Sequence, residues 1–186
     1  MPDLQSLLDS QKRLNGVRAN FVVNNQGHFT GESGSSREIS NENDLVLLKK
    51  LRSLSDVIVT DAKTARMEQY RPSKFAPIEI WSKTGDFTGL TAEQGLSFRI
   101  TPDVVRTISE LVNIYRSVLL ETGPTLTNLL GNAKAIDELK LTVVGAPSQQ
   151  DAILTASSAK ESLGLNYLKL IECQSLGDSW FLTLGR

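Results

Sequence analysis

The sequence predicts an α/β fold: a mostly parallel central sheet with flanking helices, closed by an antiparallel hairpin at the carboxyl end. Three observations predict it. Short β-rich runs alternate with helix-period segments through most of the chain, the pattern of a parallel sheet built with crossover helices. The carboxyl end instead sets two strand-like runs, NYLKLIECQSLG and SWFLTLGR, either side of a turn at Leu176-Gly177-Asp178. A chain of 186 residues with 40% apolar content can bury one substantial core, so a single domain over 1–186 is expected, with 1–16 as a leader or short helix.

The elements follow in order. VRANFVV (17–23) is β-rich, and NNQGHFTGESGSS is a loop dense in Gly, Ser and Asn. Ser40 before Asn41-Glu42-Asn43 reads as a helix cap, and DLVLLKKLRSL has helical period with Leu45, Leu48 and Leu51 on one side. SDVIVTD is a short buried strand. TARMEQY opens a helix that Pro72 and Pro77 stop, and PIEIWS is the next strand. LSFRI is a strand within a Gly- and Thr-rich stretch. A second capped helix, TPDVVRTISELVNIY, begins at Thr101 with Pro at its start and Asp103 near its amino end. SVLLE, the helix PTLTNLLGNA and IDELKLTVVGAP follow, then a Ser/Ala-rich segment and the closing hairpin.

Composition narrows the chemistry. A net charge of −1 without a basic stripe gives no field for nucleic acid or an anionic membrane. Cys173 is the only cysteine and His28 the only histidine, too few for a Cys/His zinc site or an intrachain disulfide, and metal-free chemistry is expected. The stretch MPDLQSLLDSQKRLNG carries no uninterrupted signal-peptide core and no apolar run reaches membrane-span length, so a cytoplasmic location is expected.

One stretch suggests a ligand. In VLLETGPTLTNL (118–129) a strand stops at Glu121, turns through Thr122-Gly123-Pro124 and at once begins a helix. Pro suits the first helical position and Gly permits close backbone approach. A helix starting just past a strand's carboxyl end presents free N–H groups and a positive dipole end, an arrangement that holds phosphate elsewhere. An ordinary strand-to-helix turn has the same spelling.

Four stretches in one order give a family resemblance. VRANFVVNNQGHFTGESGSSREIS, LLKKLRSLSDVIVTDAKTARMEQY, VLLETGPTLTNLL and AIDELKLTVV together resemble the reductase domain of bacterial riboflavin biosynthesis, the carboxyl half of the bifunctional deaminase-reductase and its stand-alone relatives. The resemblance implies a dihydrofolate reductase-like fold, NADPH as cofactor and a homodimer. The apolar closing strands point to a dimer as well, because an uncovered edge invites pairing. It also implies that Thr64, Glu68, Thr122, Gly123, Pro124, Thr125 and Leu126 line the cofactor, and that Ser36, Arg52, Glu121 and His28 face a phosphorylated pyrimidine substrate. Arg52 would grip the phosphate and Glu121 would accept from a hydroxyl or ring amine. The plainer readings stay open: a first-turn acid for Glu68, a helix-end cation for Arg52, a solvated strand-end acid for Glu121 and a solvated loop residue for His28.

The sequence also departs from the family. Gly-Ala-Gly-Thr becomes Thr60-Asp61-Ala62-Lys63-Thr64, so both glycines are gone and a carboxylate, Asp61, stands beside the expected phosphate region. Glu-Gly-Gly becomes Glu121-Thr122-Gly123, and the stretch between IEIWS and TPDVV is short. Two functions are therefore expected. One is NADPH-dependent hydride transfer to the ribosyl carbon of a 5-amino-6-(5-phosphoribosylamino)uracil-like substrate, with no catalytic side chain beyond the cofactor. The other is a non-enzymatic or different-substrate paralogue that binds nucleotide weakly or not at all.

Overall fold

A computed structural model describes residues 3–186. Eight strands form one sheet: β1 (Gly16–Asn24), β2 (Val57–Asp61), β3 (Ile78–Ser82), β4 (Leu96–Ile100), β5 (Ser117–Leu120), β6 (Glu138–Val144), β7 (Lys169–Leu176) and β8 (Ser179–Gly185). Their order is β4-β3-β2-β5-β1-β6-β8-β7. Pairing is parallel from β4 through β6, and antiparallel where β8 joins β6 and β7 joins β8. The hairpin turns at Gly177-Asp178, and Gly177 has φ +63°, which explains a glycine there.

Strand alternation sends side chains to two cores. Val17, Ala19, Phe21 and Val23 of β1, with Val118 and Leu120 of β5, pack under α4 (Val104–Ile114), α5 (Pro124–Asn132) and α6 (Gln149–Ser162). Ile58 of β2, Leu119 of β5 and Phe181 of β8 face α1 (Leu4–Ser10), α2 (Glu42–Ser53) and α3 (Ala62–Met67). A 3₁₀ turn, Ser36–Glu38, lies in the loop after β1.

Several elements differ from the sequence reading. The cap of α2 is Asn41, whose side chain accepts from Asp44 N–H, while the Ser40 hydroxyl donates to the Asp44 carboxylate. The buried face of α2 is Asp44, Leu47 and Leu51, and Leu45 is 46% exposed, because the stripe begins one residue earlier than the leucines suggest. Helix α4 starts at Val104 under an Asp103 cap, with Pro102 outside it. Helix α3 starts at Ala62, capped by Asp61, before the TARMEQY run. The Ser/Ala-rich segment is a full helix, α6, whose buried face is Ala152, Ala156 and Ala159. Among the described residues no helix is long and apolar enough to cross a membrane.

Candidate functional site

The carboxyl ends of β2 and β5 lie side by side at the centre of the parallel region, where the chain leaves the sheet into α3 and α5. Just past β5, Glu121 still pairs with β2: its N–H donates to Val59 O at 2.8 Å and its carbonyl accepts the Thr60 hydroxyl at 2.8 Å. This pins the turn, so the next residues are held on two sides.

On the α2/α3 side, strand alternation carries the Glu121 side chain inward, where it is 7% exposed. Arg52, in the last turn of α2, meets it with a two-pronged ion pair, Nε at 2.8 Å and Nη2 at 2.5 Å. The Tyr70 hydroxyl donates to the same carboxylate, and the Arg52 guanidinium lies 5.6 Å from the Tyr70 ring centre. Burial pulls the Arg52 pKa down, but Glu121 outweighs it and holds the guanidinium above its ordinary range. Burial, then Glu121, pushes the Tyr70 phenol well above 10, so it is a donor at neutral pH. Beside this cluster opens a cleft of about 440 Å³ lined by Arg37, Arg52, Glu68, Gln69, Tyr70, Arg71 and Pro72.

On the other side of the same turn, α5 begins at Pro124 with Gly123 as a cap that offers no side chain. Gly123 has φ −67°, so backbone conformation does not require glycine; a Cβ there would sit 3.0 Å from Thr64 Oγ1 and 3.4 Å from Asp61 Oδ2, a tight fit that either side chain would have to yield to. The Gly123 N–H donates to Asp61 Oδ2 at 2.7 Å. Thr64 Oγ1 donates to the same oxygen at 2.8 Å, and Thr64 N–H to Asp61 Oδ1 at 2.9 Å. One carboxylate thus takes three donors from the two helix starts.

The residues named from sequence divide accordingly. Thr64, Gly123, Pro124, Thr125 and Leu126 meet at the α5 start; Thr125 is exposed and Leu126 packs toward the core. Thr122 is 3% exposed, its hydroxyl turned inward to Thr127 at 2.8 Å. Glu68, read as a cofactor contact, lies instead in the cleft with Arg52: its carboxylate accepts from Ser36 N–H at 2.6 Å and the Ser35 hydroxyl at 2.9 Å, and pairs with Arg37. Ser36 enters this group through its backbone. His28 does not line the cleft. Its N–H donates to Asn24 Oδ1, and its neighbours Asn25 and Phe29 contact Thr155 of α6 and Phe21 of β1. Tyr70, which closes the MEQY run, is a site residue that no sequence motif pointed to. Asp44, at the start of α2, does not line the cleft but is a second buried acid. It is 5% exposed with an unpaired Oδ1; burial raises its pKa against the opposing hydrogen bond of Ser40 to Oδ2. Among the described residues no cluster of three or more His, Cys, Asp or Glu could hold a metal.

The architecture is the dihydrofolate reductase-like fold. A pyrimidine reductase-like protein of Corynebacterium diphtheriae superposes with a TM-score of 0.66 at 17% identity, over 92% of this chain and 91% of its own. The diaminohydroxyphosphoribosylaminopyrimidine deaminase/5-amino-6-(5-phosphoribosylamino)uracil reductase of Thermotoga maritima superposes with a TM-score of 0.68 at 11% identity, over 92% of this chain and 56% of that longer one. Dihydrofolate reductase of Enterococcus faecalis, in complex with NADP(H), gives a TM-score of 0.62 at 16% identity over 92% and 96%. No protein-family model matches the sequence, and no curated protein does. The fold that the sequence resemblance implied is therefore the fold the chain adopts, and its structural neighbours are reductases.

The sequence resemblance implied a nicotinamide dinucleotide at the starts of α3 and α5, and a diphosphate there would need their free N–H donors. The donors are of the right kind, but Asp61 holds them. A phosphate there would meet a carboxylate instead of free N–H groups, so the diphosphate does not fit this cradle with Asp61 in place.

Proposed function

We propose that this chain is a paralogue on the pyrimidine-reductase scaffold that takes a small, anion-bearing polar molecule into the cleft of Arg37, Arg52, Tyr70 and Arg71 and holds a nicotinamide dinucleotide weakly or not at all. The observation that carries this reading is the Asp61 carboxylate on Gly123 N–H and Thr64 N–H. The chemistry of the cleft favours an anion: Arg71 and Arg37 are exposed at its rim, and Arg52 can exchange one prong from Glu121 to a phosphate or carboxylate of the ligand. Tyr70 and Glu121 then offer a donor and an acceptor to a polar ring or a sugar hydroxyl.

The second reading is an NADPH-dependent reductase of a 5-amino-6-(5-phosphoribosylamino)uracil-like substrate. The shared fold supports it, as does the meeting of Thr64, Gly123, Pro124 and Thr125 at one sheet edge. Titration of the purified chain with NADPH and NADH, followed by fluorescence and thermal shift, separates the two. No response at millimolar dinucleotide supports the paralogue; binding well below millimolar with preference for NADPH replaces it with the reductase. A homodimer is proposed under either reading, through the edge strand β7, where Leu170 and Ile171 are 42% and 64% exposed. Sedimentation giving only the 20.4 kDa species at micromolar concentration removes it.

A further inference from the structure

We infer that Asp61 is a built-in anion that closes an otherwise competent phosphate cradle, so that one side chain, and not a wholesale loss of the site, keeps dinucleotides out; this rests on the reading above. The donors remain in place. Helix α5 starts with Pro124 at its first turn and has no side-chain cap of its own, so its amino end would be left uncompensated but for Asp61. Asp61 belongs to a different element: it ends β2 and caps α3, yet reaches across the sheet edge to Gly123 N–H at 2.7 Å. It serves two helix starts with one charge. Two of its three partners are backbone N–H groups fixed at the helix starts, so these donors stay in place whether or not Asp61 holds them. A diphosphate could satisfy the same donors only after expelling it, and like charge opposes the approach. Glycine at 123 keeps the space between the two helix starts narrow enough for one carboxylate to bridge them, a Cβ there meeting both Thr64 and Asp61.

Emptying the cradle should therefore open it. Asp61→Gly removes the side chain, and Asp61→Ser keeps a shorter, uncharged cap for α3 that guards against a folding failure. The probes are inorganic pyrophosphate and NADPH, read by calorimetry and thermal shift on folded protein. Both variants should bind pyrophosphate about tenfold or more tightly than the parent, and gain melting temperature with it, while the parent does not. NADPH binding gained by the variants alone supports the same conclusion. The inference is overturned if the folded variants bind pyrophosphate no better than the parent, whatever the parent does with NADPH. If the parent itself binds NADPH tightly, Asp61 does not keep dinucleotides out, and the inference and the paralogue reading fall together; if the parent binds none and the variants stay unresponsive, the inference alone falls.

Discussion

Two carboxylates flank one turn, and they are satisfied in opposite ways. Glu121 accepts from Arg52 and Tyr70, long side chains hinged at the rim of an open cleft; Asp61 accepts from the backbone of Gly123 and Thr64. The first arrangement can trade partners with a ligand, because a guanidinium or phenol can rotate. In the second the donors are fixed at helix starts, so a competing anion must displace the Asp61 side chain itself. Of two internally neutralised sites, one exchanges by moving its donors and the other only by losing its acceptor.

The largest expected effect sharpens the Glu121 half of that contrast. Glu121→Gln leaves the partly buried Arg52 without its counter-charge, and should cost about 3 kcal/mol of stability in urea unfolding. A loss near zero would mean that Arg52 already points to solvent, which would dissolve the distinction. Tyr70→Phe comes next, removing a hydrogen bond to an ionised group at a cost of about 1.5 kcal/mol, and combined with Asp61→Ser it should leave that variant's pyrophosphate binding unchanged. A change in pyrophosphate binding would show that the two sides of the turn are coupled.

The smallest effect concerns a third carboxylate, Asp44, which lacks the full set of partners that the other two enjoy. Its folded pKa is raised, so the protonated form stabilises the fold at low pH, and that stability is lost as pH rises from the unfolded value through the folded one. Asn cannot ionise. Asp44→Asn should raise stability by about 1 kcal/mol at pH 8, with the gain vanishing below about pH 4, in melts across that range. A pH-independent difference would mean that the carboxyl is not strained by burial.

What the sequence revealed follows from the range of the interactions. Strand and helix alternation, the Gly177 turn and the helix at Pro124 depend on neighbours in the chain, and they were legible. Helix α6 was not, because its buried face is three alanines among serines, with too little apolar contrast to show a period. Arg52 and Glu121 were each named as ligand contacts, but their pairing spans 69 positions and no local pattern encodes it. Asp61 stood out as a charge beside the expected phosphate region. That it would reach Gly123, 62 positions on, required the adjacency of β2 and β5.

The central place of β1 has a consequence for how the chain is made. It precedes every other strand of the sheet in chain order, yet its partners are β5 and β6, so its apolar run waits for roughly ninety residues of further synthesis before Ser117 arrives to pair with Gly16. Throughout that interval both of its edges are open. The strand at the middle of the finished sheet is thus the one whose edges wait longest for their partners during synthesis.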